Sequence, residues 1–344
     1  VPVNFYRLVS PENSRVSKEW KNKASWVQSL GYPPLKPVTS LQTTARLIGR
    51  AKRRCGIYLL EFDDSTFYIG QSVDVRSRFG QHRRKHGNIV GFTFSRVARK
   101  NLNAEEQRRI NAAEGLGMKL SNIVHVSKVS GETKLDLVIS QEEQDLWLLN
   151  PEMENQLDQS PKKEFPEEFV QRTKGRYTRF LEHGQSDMAL EILRTYLKNC
   201  VPMPRRTEHS LWSMSCMPST NSYFAPRLAV INMSVMEVLV LWHPKGANNK
   251  LRGHVNVASN ELFPKGGWIE RLRFWLSFPL VFIKKGKYQD AGQHQMTLYA
   301  LSANSLLKLI QDKRVQKASA QLNLQLMRKR GTIYSRFHCS ELVG

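Results

Sequence analysis

Residues 56–86 read GIYLLEFDDSTFYIGQSVDVRSRFGQHRRKH. Two short runs rich in aromatic and β-branched residues, GIYLLEF and FYIG, flank the polar tetrad DDST, the pattern of an antiparallel hairpin. Tyr58 and Tyr68 then fall on neighbouring strands of one small sheet. Gly70 lets the chain leave the second strand with no side chain in the way, and Ser72 is a suitable cap for a following helix. On that helix Arg78 and His82 are four residues apart and share a face, with His86 one turn further on. Packed against each other, strands and helix put two phenols, a guanidinium and an imidazole in one place.

Working outward, the charge is the next signal. The 344 residues hold 52 Lys and Arg against 30 Asp and Glu, a formal net charge of +22. Such a field concentrates polyanions, so nucleic acid is the first partner to expect. Residues 1–160 carry 24 basic and 17 acidic side chains, and residues 161–344 carry 28 and 13, so the excess sits mainly in the second half. The most apolar run, LAVINMSVMEVLVLW at 228–242, is broken by Asn232, Ser234 and Glu237, so no membrane span is expected. No signal-peptide pattern is read, and Cys55, Cys200, Cys216 and Cys339 form no CxxC pair. Free thiols in a reducing, cytoplasmic setting follow as the expectation.

Composition divides the chain in three. Residues 1–53 read as an irregular arm with a short helix around 15–29, ending in the basic helical stretch TSLQTTARLIGRAKRR. Residues 54–160 read as a small α/β (α+β) module, an antiparallel sheet flanked by helices. The Pro- and charge-rich stretch 151–168 reads as a linker, and residues 161–344 as a larger, basic α+β domain. In that domain FVQRTKGRYTRFLEHG and SDMALEILRTYLKN show helical spacing, the second with Ser186 as its cap. LWSMSCM, the 228–242 run, GHVNVAS, PLVFIKKG and QMTLYALS are strand-like; WIERLRFWL and a long stretch over 304–330 read as helices.

GIY at 56–58 and YIG at 68–70, followed by Arg78 and His82, resemble the GIY-YIG nuclease superfamily, which includes homing endonucleases, some restriction enzymes and the incision subunit of bacterial excision repair. EEQDLWLLNPEMEN at 142–155 is similar to the family's usual ending, with Leu146, Leu149, Asn150 and Pro151 at the expected places. On that match Glu142 is the metal ligand and Asn155 the distal polar residue. An earlier pair, Glu106 and Asn122, is also spaced like a Glu…Asn pair, and PEMEN is one residue longer than the common form. The resemblance covers about residues 54–157.

It implies a divalent-metal-dependent endonuclease that hydrolyses phosphodiester bonds. Tyr58 is then the general base, His82 the proton relay, and Tyr68 orients phosphate or water. Arg78 stabilises the transition state, and Glu142 holds Mg²⁺, for which Mn²⁺ substitutes. Double-stranded DNA is the expected substrate, in a bacterial or phage-encoded restriction or phage-defence enzyme. A homing, mobile-element or repair nuclease, an RNA nuclease, and a nucleic-acid-binding protein with a vestigial centre are the alternatives. Backbone contacts are expected from Arg83, Arg84, Lys85 and His86, and in the second half from Lys284, Lys285, Lys287, Arg328, Lys329 and Arg330. A duplex cut by one centre per chain calls for a homodimer or for sequential nicking.

Overall fold

The computed structural model describes residues 23–39, 44–48, 54–122, 125–127, 129, 133–220, 223, 225–244, 250–286, 288 and 291–344. Much of the expected arm over 1–53, and Lys287, lie outside these residues. The chain divides into two compact units, Val1–Val126 and Ser127–Gly344, each with its own antiparallel sheet and helices. The fold is therefore α+β.

In the first unit a helical segment over 23–29 (α1) precedes β1 (Lys36–Pro37) and α2 (Thr44–Ile48). The hairpin expected from the sequence follows as β2 (Gly56–Phe62) and β3 (Phe67–Ser72), then α3 (Val75–Lys85), β4 (Ile89–Arg96) and α4 (Leu102–Gly115). The sheet order is β1-β4-β2-β3. The hairpin turn is held by Asp64, whose Oδ1 accepts from the Thr66 amide at 2.9 Å and its hydroxyl at 2.7 Å, while Ser65 takes φ 63°. Tyr58 pairs with Gly70 and Leu60 with Tyr68. The two tyrosines thus lie diagonally on one face of the sheet, separated only by a glycine.

That face is closed by α3, whose buried Val75 and Phe79 join Leu60, Phe62 and Phe92 in one apolar cluster. The helix is capped by Asp74, which accepts from the amides of Arg76 and Ser77. Ser72, the cap expected from the sequence, instead accepts from the Asp74 amide at 3.0 Å. The opposite face carries Ile57, Leu59 and Ile69, all without solvent exposure. There Arg109 of α4 donates to Ser95 Oγ, whose residue pairs with Ile57. The sheet is thereby sandwiched between α3 and α4.

The second unit opens with α5 (Gln141–Leu149), α6 (Pro151–Leu157), α7 (Glu167–Leu181), α8 (Ser186–Cys200) and the single turn α9 (Pro204–Thr207). Then come β5 (Trp212–Cys216), β6 (Arg227–Met233), β7 (Met236–Trp242), β8 (Arg252–Ala258), α10 (Ser259–Leu262), α11 (Trp268–Ser277), β9 (Val281–Lys285), β10 (Gln295–Ala300), α12 (Ala303–Gln311) and α13 (Lys313–Lys329). The sheet order is β5-β6-β7-β8-β10-β9, with α8, α12 and α13 packed together and α12 and α13 against β8.

Four expectations are corrected here. The 228–242 run is not one strand but a hairpin, turning at Ser234 with φ 55°. The 304–330 helix is two helices, because Asp312 interrupts the first and caps the second, accepting from the amides of Arg314 and Val315. The unit boundary falls at 126/127 rather than at 160. Leu135, Ile139 and Trp147, all without exposure, belong to the core of the second unit, and Pro151 starts a helix rather than a linker. Ser186 does not cap α8 but is its first residue, donating from Oγ to Leu181 O.

Candidate active site

The tyrosine face of the first unit gathers four of the expected site residues. The Tyr58 hydroxyl lies 2.8 Å from His82 Nε2. The rings of Tyr58 and Tyr68 are 6.1 Å apart, and that of His82 is 5.6 Å from the first and 5.2 Å from the second. His86 stacks behind His82 at 6.0 Å and meets Phe62 edge-on. Arg78, one turn before His82 on α3, is exposed and donates to Gln81 Oε1 at 3.0 Å.

Both glycines of the hairpin are explained by contact rather than by flexibility. A Cβ on Gly70 would sit 2.5 Å from Tyr58 Cζ and hydroxyl and 2.7 Å from Tyr68 Cε1. A Cβ on Gly56 would sit 2.1 Å from the Ser95 carbonyl oxygen. Any other residue at 70 would push the two phenols apart, and any other at 56 would separate β2 from β4.

Burial sets the protonation states. It pushes the Tyr58 hydroxyl well above the ordinary tyrosine range, with Tyr68 adding to the shift and the Arg78 charge opposing it. Tyr68 is also raised, by burial first and then by the nearby Glu106 carboxylate. His82 is pushed down to about 4 by burial and then by the positive charges of Arg78, His86 and Lys85. Near neutral pH the Tyr58–His82 pair is therefore a protonated phenol against a neutral imidazole.

Glu142 and Asn155 are not in this unit. Glu142 is exposed in the first turn of α5 in the second unit, beside Glu143, which completes a capping box with Ser140 and pairs with Arg206. Asn155 is occupied structurally. Its Oδ1 accepts from Trp147 Nε1 at 2.9 Å and the Met203 amide at 3.0 Å, and its Nδ2 donates to the carbonyls of Lys198 at 2.9 Å and Val201 at 2.8 Å. It ties α6 to the end of α8 and leaves no group for a substrate.

The unit that holds the tyrosines carries the other pair. Glu106, half-buried on α4, accepts from Gln71 Nε2 at 2.9 Å, and burial lifts its carboxyl above the usual range. Asn122 is buried, and both ends of its amide bind the backbone of Ile69: the Ile69 amide donates to Oδ1 at 3.0 Å, and Nδ2 donates to the carbonyl at 2.6 Å. Around it Lys119 and Ser121 bond Phe67 through backbone groups, so residues 119–122 finish the open edge of β3. Gln71 and the edge role of Asn122 had no sequence signal beyond the Glu…Asn spacing itself.

Of the expected phosphate contacts, Arg84 and Lys85 are exposed, and Arg83 reaches the Thr39 carbonyl at 3.3 Å. Lys284 and Lys285 are exposed on β9. Arg328 and Lys329 do not fit that role. The Arg328 guanidinium is inside, bonded to Gln144 Oε1 at 2.7 Å and Asp136 Oδ1 at 3.3 Å, and Lys329 is buried. Arg330 is exposed and donates to Ser234 Oγ at 3.3 Å.

Among the described residues no cluster of three or more His, Cys, Asp or Glu could enclose a metal ion, and no helix is long and apolar enough to cross a membrane. The four cysteines are free thiols. Comparison with protein-family models, with curated proteins and with solved structures finds no match to this chain.

Proposed function

We propose that the first unit is a phosphodiester-hydrolysing nuclease centre of the GIY-YIG kind, built on Tyr58, Tyr68, Arg78, His82 and Glu106, with Glu106 in the place first given to Glu142. The contact between the Tyr58 hydroxyl and His82 Nε2 carries the reading. A phenol whose pKa is raised cannot serve as a standing phenolate. It can take a proton from an attacking water while passing its own to a neutral acceptor at hydrogen-bond distance, and His82 is such an acceptor.

The water oxygen forms its bond to phosphorus as the bond to the leaving ester oxygen breaks. One proton moves from water to Tyr58 and another from Tyr58 to His82. Arg78, exposed at the rim, forks onto the non-bridging phosphate oxygens as charge builds there. Tyr68 donates to phosphate or to the water.

A single half-buried carboxyl held above its usual range fits a hard divalent cation that keeps most of its waters, since a bound cation relieves the burial of the charge. Mg²⁺ or Mn²⁺ at Glu106 would supply charge neutralisation at the phosphate and an acidified water. Double-stranded DNA is the proposed substrate on the strength of the +22 charge, and restriction or phage defence the proposed role on the strength of the resemblance.

The test is cleavage of supercoiled plasmid by the full chain with Mg²⁺, with and without chelator. Tyr58→Phe keeps the ring and its packing, so melting stays near wild type while cleavage falls about 10²-fold. Wild-type turnover in that variant sinks the mechanism.

A further inference from the structure

On the second unit, helix α11 and the edge strand β9 leave an unusual surface. Trp268 is 72% exposed, Trp275 54% and Phe282 59%. Along α11 the exposed apolar residues recur at one-turn spacing, and together with β9 they border a groove of about 770 Å³ into which Arg271 and Lys285 also project. Arg273 and Lys284 lie on the same two elements. Arg271 stacks over the Phe263 ring at 5.6 Å, and the ion pairs found among the described residues of this region involve none of these four cations. Glu270, the acidic residue of α11, is turned to the Lys265 amide, from which it accepts at 3.2 Å.

Aromatic faces of this size rarely stay in water without a purpose, and the cations among them choose the occupant. Two copies joined along β9 across a two-fold axis would bring two Lys284–Lys285 pairs and two Arg271 side chains into one desolvated contact, the arrangement by which edge strands avoid self-pairing. A polyanion reverses the sign of that term. Duplex DNA offers phosphates but keeps the faces of its bases stacked inside. A strand with unpaired bases offers both phosphates and free π-faces, which is what exposed indoles between cations bind.

We propose that the α11–β9 groove docks an unpaired nucleic-acid strand, with bases stacked on Trp268 and Trp275 and phosphates held by Arg271 and Lys285. This extends the nucleic-acid reading to the second unit. It is measured as binding in chelator, so a failure of the nuclease centre and a failure of this surface are seen separately.

The probe is a fluorescein-labelled oligothymidylate strand titrated with the full chain at low salt and read by anisotropy, with unlabelled duplex as competitor. The expected result is binding that weakens about tenfold for each of Trp268→Ala and Trp275→Ala. Arg271→Ala combined with Lys285→Ala should flatten the salt dependence. The exposure of these side chains keeps the fold intact, which circular dichroism checks. Oligothymidylate affinity unchanged in the tryptophan double variant overturns the proposal. So does a dimer, seen by light scattering, that the double variant dissociates while wild type shows no oligothymidylate binding.

Discussion

The chain contains two Glu…Asn pairs, one in each unit, and the two environments give them different work. Glu106 is half-buried, held by Gln71 and near enough to Tyr68 to shift its titration. Glu142 stands in water at the start of a helix, where a carboxylate favours the macrodipole and little else. Asn122 finishes the edge of the strand that carries Tyr68. Asn155 stitches two helices of a separate core. Both pairs resemble a Glu…Asn motif, but their surroundings differ: Glu106 and Asn122 bond residues of β3, whereas Glu142 and Asn155 sit on helices α5 and α6. Glu106 acts electrostatically on a phenol of the tyrosine face, whereas Glu142 is exposed at a helix start.

The two glutamates should differ most. Glu106→Gln should lower plasmid cleavage at least 10²–10³-fold, the scale of removing a charge-stabilising group from a reaction centre. Glu142→Gln should leave it within about twofold, as surface changes do. Parallel rate measurements on the two variants decide the matter, and the reverse outcome would return the metal ligand to the second unit.

Much of this arrangement was legible in the sequence. The hairpin, its tyrosine face and the helix bearing Arg78 and His82 follow from alternation and i,i+4 spacing, and these are local properties. The choice of glutamate was not local. Leu146 and Leu149 match the expected ending, yet both are exposed, while Trp147 between them is buried in the second core. A string match counts apolar letters without knowing which side of the helix has a partner. Pro151 misled for a related reason, since proline opens helices as readily as it interrupts them. Arg328 looked like a free cation because its partners, Asp136 and Gln144, lie far off in the sequence. The turn at Ser234 has no Gly or Asn to announce it.

The asparagines sharpen the same contrast at a smaller scale. Asn155→Ala strips hydrogen bonds from the Trp147 indole, the Met203 amide and the end of α8, and should cost on the order of 2–3 kcal/mol of stability. Molecules that remain folded should cleave at the wild-type rate. Asn122→Ala leaves the Ile69 amide and carbonyl unpaired at a comparable cost, and here the strand holding Tyr68 loosens, so the turnover of folded molecules should also fall. Calorimetry together with single-turnover cleavage separates the two effects. An Asn155 variant that melts normally and cuts slowly would mean that this residue meets substrate.

The smallest expected effect comes from histidine. Burial pushes both His82 in the first unit and His254 in the second down to about 4, against about 6.5 for an unperturbed imidazole. Between those values the unfolded chain binds protons that the folded chain refuses, so protonation favours unfolding. Stability is complete above about pH 6.5 and declines as the pH falls toward 4. Replacing either residue by Gln should reduce this acid sensitivity of the melting temperature. His82 is hydrogen-bonded to the Tyr58 hydroxyl, whereas His254 packs against the rings of Trp242 and Tyr299, so only His82→Gln should also slow cleavage, and it should do so even at pH 7.5, where both imidazoles are neutral. The matched melting and cleavage profiles of the two variants test this directly. Equal cleavage by both at neutral pH would leave His82 as a packing residue and Tyr58 without a proton acceptor.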